Sequence, residues 1–98
     1  MYKRQKHIVF IKLEENSEEN KQAIKDRLLS MKGQIDILKN IEVGINFCKE
    51  ERAYDVALIT EFNTLEDLQA YAIHPLHIEV IKFIKSHNAI TKIVDYEY

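Results

Sequence analysis

The apolar residues of this chain change period several times between its two ends. That switching between two-residue and helical spacing constrains the fold more than any other feature. His7 to Leu13 alternates, with His7, Val9, Ile11 and Leu13 on one face and Ile8, Phe10 and Lys12 on the other. β-Branched and aromatic residues dominate, as in a strand. Apolar groups on both faces place this strand in the middle of a sheet.

Glu14 to Glu19 is an acidic turn, in which Asn16 or Ser17 can cap a helix and Glu18 and Glu19 favour its positive end. Ile24, Leu28, Met31, Ile35 and Leu38 then recur at helical spacing. Gly33 interrupts that stripe, so the regular helix is expected to stop there and continue as a short helical turn. Asn40 to Lys49 alternates again and predicts a strand with Ile41, Val43, Ile45 and Phe47 on one face. After the charged turn Glu50-Glu51-Arg52, Tyr54 to Phe62 predicts a third strand, apolar on both sides like the first.

Thr64 is a good helix cap with Glu66 and Asp67 in the first turn, and Leu65, Leu68, Tyr71 and Ala72 or Ile73 line the inner side. His74-Pro75 breaks this helix, because proline disfavours helical backbone before it and suits the start of a new helix. A second helix is expected from Pro75 to about Ser86, with His77, Val80, Ile81 and Ile84 inward. Asn88 ends it, and Ala89 to Tyr98 reads as a last strand.

The order β-α-β-β-α-β is the split βαβ, or ferredoxin-like, unit of the α+β class. Its crossovers place the first and third strands at the centre of a four-stranded antiparallel sheet. Its helices cover one face only. The other face, with Ile8 and Phe10 among its members, is apolar and calls for a second copy packed against it.

Composition narrows the function. The 98 residues make one domain, 1–98, with 46% hydrophobic and 31% charged residues, a globular mix. The net charge of −2 shows no basic excess, so neither nucleic acid nor a membrane surface is an expected partner. The basic start, Met1 to Lys6, is followed by only Ile8-Val9-Phe10-Ile11, too short for a signal peptide or a membrane span. Cys48 is the single cysteine, which excludes an internal disulfide and suits a reducing cytoplasm.

The segments Lys6-His7-Ile8-Val9, Tyr54-Asp55-Val56-Ala57-Leu58, Tyr71-Ala72-Ile73-His74-Pro75-Leu76-His77 and Val94-Asp95-Tyr96 carry a resemblance. The chain resembles the stress-responsive α/β-barrel (Dabb) family over almost its whole length. The pattern Tyr-x-x-His-Pro-x-His, after Phe62-Asn63-Thr64-Leu65-Glu66-Asp67-Leu68, is its most specific part. The resemblance implies a ferredoxin-like protomer and a homodimer whose two sheets close into a dimeric α/β barrel. Most members have no assigned reaction. Some plant members are polyketide cyclases, in which a Tyr and a His act in a cleft between sheet and helices. Tyr71 and His77 have the cyclase spacing, and His7 matches a histidine on the first strand. In the cyclases another histidine lies on the third strand, where this chain has Val56.

The residues support the same site on their own terms. Tyr71 and His77 lie on the inner sides of two helices bent at His74-Pro75, and His7 shares a strand face with Val9 and Ile11. A neutral imidazole beside a phenol can relay protons near neutral pH. The candidate catalytic residues are therefore His77 as base, Tyr71 as hydrogen-bond donor, and His7. The chemistry they suit is enolisation or aldol-type closure of a small apolar or aromatic carbonyl compound. The competing reading is a non-catalytic structural or stress-related oligomer in which the three residues only pack. A pocket among them favours the first reading, and a closed core favours the second. His74 reads as a helix-start residue and His87 as a helix-end residue. No cofactor or metal site is expected. There is no Trp and no flavin or nucleotide motif, and no Cys or acidic cluster completes a set with His74 and His77.

Overall fold

A computed structural model describes residues 3–98; Met1 and Tyr2, part of the basic start, lie outside the described residues. The elements run β1 (Gln5–Lys12), α1 (Glu18–Leu29), β2 (Asn40–Ile45), β3 (Val56–Phe62), α2 (Leu65–Ala72), α3 (Pro75–Lys85) and β4 (Ile90–Glu97). The sheet is antiparallel in the order β2-β3-β1-β4, so the two doubly apolar strands are central. This is the expected ferredoxin-like arrangement, with the second helical half split into α2 and α3.

The register explains the core. His7, Val9 and Ile11 lie opposite Thr60, Leu58 and Val56, and Val43 lies opposite Leu58 on the far side of β3. These positions share the helix-facing side. Val56, Leu58 and Phe62 pack there with Ile24, Leu28, Tyr71, Val80 and Ile84 from the helices. Ser17 caps α1 by accepting from the Asn20 N–H at 3.1 Å, and Thr64 caps α2 by accepting from the Asp67 N–H at 3.1 Å. Asp55, 5% exposed, ties the sheet end together. Its carboxylate accepts from the Leu13 N–H at 2.7 Å and from the Asn16 amide at 3.3 Å.

Two expected boundaries differ. Helix α1 stops at Leu29, before Gly33, and the chain continues through tight turns that still bury Met31 and Ile35. Ser30 closes the helix, its hydroxyl donating to the Arg27 carbonyl at 2.5 Å, and Gly33 takes a left-handed φ of 76°. Strand β2 ends at Ile45, short of Lys49. The Asn46 side chain turns the backbone there, accepting from the Cys48 N–H and donating to the Cys48 carbonyl, both at 2.9 Å. Phe47 therefore leaves the expected strand face and is 93% exposed.

The opposite side of the sheet carries no helix. Ile8 and Ile59 are half-buried there, and Phe10, Ile90, Val94 and Tyr96 are exposed. One end of this face is polar. Lys6 pairs with Glu61 at 3.4 Å, and the Tyr98 hydroxyl donates to Glu61 at 2.7 Å.

Candidate functional site

The site begins at the break between α2 and α3. His74 adopts extended backbone, its Nδ1 accepts from the Leu76 N–H at 3.1 Å, and Pro75 occupies the first turn of α3. His74 is thus the helix-start residue expected of it. The bend sets His77 over Tyr71, which lies near the end of α2, with ring centroids 4.2 Å apart. His7 arrives from β1 with its ring edge-on to Tyr71 at 6.5 Å. All three predicted residues border one cleft of about 330 Å³, walled by Val9, Ile11 and Leu58 from the sheet and by Val80, Ile81 and Ile84 from α3. That volume is at the small end of ligand pockets.

The His77 Nδ1 lies 3.1 Å from the Ala72 carbonyl. A carbonyl can only accept, so Nδ1 carries the hydrogen and Nε2 keeps its lone pair. Burial lowers the His77 pKa; the Ala72 bond opposes this, and His7 and His74 add to the lowering. The ring is therefore a neutral base at neutral pH. Tyr71 is 1% exposed, and burial raises its pKa far above the ordinary phenol value, so it stays protonated. Its hydroxyl donates to the Met31 sulfur at 3.8 Å, a weak acceptor, while Phe62 packs on its ring.

His7 has a partner that the sequence reading did not single out. Its Nδ1 is hydrogen-bonded to the Asp95 carboxylate, directly across the β1–β4 pairing. The carboxylate accepts, so the hydrogen of this bond is carried by Nδ1 of His7. The available signal was topological: the last strand of a split βαβ unit lies beside the first, and it contains an acidic residue. Its register with His7 was not legible.

The other singled-out residues lie elsewhere. His87 hydrogen-bonds the Phe83 carbonyl at 3.0 Å at the end of α3. Cys48 is exposed, with Sγ 3.5 Å from a Glu50 oxygen. Val56 is a buried core residue. Among the described residues no group of three or more His, Cys, Asp or Glu could hold a metal ion, and no helix is long and apolar enough to cross a membrane.

The sequence matches the family model of the stress responsive A/B barrel domain, Dabb, over residues 6–98. No curated protein matches it. Among solved structures, a dimeric protein of unknown function and ferredoxin-like fold from Bacteroides fragilis is 31% identical, with 97% of this chain and 96% of that chain covered and a TM-score of 0.82. A dimeric ferredoxin-like protein of unknown function from Thermobifida fusca is 19% identical over 100% of this chain and 93% of that chain, with a TM-score of 0.85. A hydroxynitrile lyase from Passiflora edulis is 16% identical over 97% and 93%, with a TM-score of 0.80. The last two likenesses establish the shared fold alone. With the ferredoxin-like sheet, the family match over nearly the whole chain and the Tyr71–His77 motif in place, the chain belongs to the stress-responsive A/B barrel domain (Dabb) family.

Proposed function

We propose that this protein is a homodimer whose helix–sheet cleft binds and transforms a small apolar or aromatic carbonyl compound. The observation that carries the reading is the convergence of His7, Tyr71 and His77 on one open apolar cleft. In the proposed step the His77 Nε2 takes a proton from the carbon beside the carbonyl. The Tyr71 hydroxyl, whose present partner is only a thioether, donates to the oxygen as it gains enolate charge. In an aldol-type closure the enolate carbon then bonds to a second carbonyl carbon, and the new alkoxide takes the proton back from His77. Asp95 is a positioning residue that holds the His7 ring toward the cleft.

The dimer is supported by the apolar side of the sheet that the chain leaves uncovered. A hollow of about 460 Å³ beside Phe10, Gly44, Phe47 and Ala57 adds room for a partner's side chains. The dimeric Bacteroides and Thermobifida proteins have the same fold. A cytoplasmic location fits the single exposed cysteine.

A second reading, a non-catalytic structural or stress-related oligomer, is favoured by the burial of Tyr71 and by the bond of His77 to its neighbouring helix. Calorimetric titration with acetophenone separates the two. Saturable binding by the wild type, lost in His77→Ala with the circular dichroism unchanged, supports the ligand site. Unchanged binding by the variant removes His77 from the account, and a wild type that binds nothing supports the second reading.

A further inference from the structure

The two ends of the cleft differ chemically, and the carbonyl chemistry uses only one of them. His7, Tyr71 and His77 border one end; Lys85, Ala89 and Thr91 border the other. His77 and Lys85 both lie on α3, eight residues apart, or about 12 Å along the helix axis. The sheet has the same span. His7 and Ile11 are about 13 Å apart along β1, and Thr91 lies opposite Ile11. Between the ends the wall is Val9, Leu58, Val80, Ile81 and Ile84.

Lys85 is in the last turn of α3, where a cation suits the helix dipole. No carboxylate among the described residues lies within ion-pair distance of it. Lys82 in the same turn does have such a partner, Glu79 at 3.5 Å. Glu14, beside the end of α3, accepts from the Asn88 amide at 2.5 Å and borders a separate hollow with His87. The cleft thus runs from imidazoles through an apolar middle to an uncommitted ammonium and a hydroxyl.

We infer that the ligand is an amphipathic oxo acid, with its carbonyl at the end of the cleft bordered by His77 and Tyr71, its hydrocarbon along Val80 and Ile84, and its carboxylate on Lys85 beside Thr91. This rests on the carbonyl-site reading and adds the second recognition point. Lys85 then decides between acids and neutral ketones of the same shape. The alternative role for Lys85 is to cover apolar wall with its methylene stem.

The test is calorimetric titration with 8-oxononanoate and with nonan-2-one, which differ only in carboxylate for methyl, at mildly alkaline pH and low salt. The acid is expected to bind about threefold to fivefold more tightly, the range of an exposed ion pair. High salt should erase the difference. Lys85→Gln should equalise the two ligands and Lys85→Glu should invert the preference. Both variants alter an exposed side chain, and circular dichroism checks their fold. Equal affinities in the wild type, or a preference that survives Lys85→Gln, overturn the assignment of Lys85 and leave the carbonyl site standing. If neither compound binds while acetophenone does, the inference falls and the carbonyl site stands; if none of the three binds, both fall.

Discussion

Replacing Phe10 by alanine is expected to weaken the dimer by about 4 kcal/mol, with two copies of the side chain lost from one two-fold interface. Phe10 lies on the open side of the central strand β1 and is 44% exposed in the protomer. An aromatic side chain offers roughly 200 Å², so about 90 Å² would leave water on association. At about 25 cal/mol per Å² this is about 2 kcal/mol per copy. The two-fold axis doubles it, and the dissociation constant should rise about a thousandfold. Sedimentation over a dilution series reads the effect. The wild type is expected at twice the protomer mass of 11.6 kDa, and the variant should fall toward 11.6 kDa at concentrations that leave the wild type dimeric. Far-ultraviolet circular dichroism confirms that the protomer still folds. A variant as dimeric as the wild type, or a wild type at 11.6 kDa throughout, would refute the assignment of this face.

Asp55→Ala leaves the buried Leu13 N–H without its acceptor, which should cost about 2–3 kcal/mol and lower the Tm by about 10–20 °C. An unchanged Tm would show that the link between β3 and the end of β1 is dispensable. The lowered pKa of His77 predicts a pH dependence with a definite sign. The unfolded chain takes up the proton near 6.5 while the folded cleft resists it, so stability is full above that pH and declines as pH falls through it. Chemical denaturation across this range should show the decline in the wild type and a flatter curve in His77→Gln; parallel curves would contradict it.

Much of the fold was legible because the decisive patterns are local. The apolar residues on both faces of His7–Leu13 placed β1 in the sheet centre, and His74-Pro75 marked the bend that joins Tyr71 to His77. The boundaries were less legible where the pattern outlasts the element. Met31 and Ile35 keep helical spacing beyond Leu29 because successive tight turns bury the same side of the chain. Phe47 continues the alternation of β2, yet the Asn46 side chain has already turned the backbone. Asp95 and Lys85 were missed for a different reason. Asp95 meets His7 only through the β1–β4 register, and Lys85 reaches the cleft only once α3 lies over the sheet.

The central claim is that His7, Tyr71 and His77 share one ligand cleft. NMR spectroscopy of the histidine rings during titration with acetophenone tests it most directly, because the four histidines provide their own control. The ring signals of His7 and His77 should shift together and saturate, while those of His74 and His87, which sit at helix ends and do not border the cleft, should stay in place. Stationary His7 and His77 signals, or equal shifts at all four rings, would contradict the account.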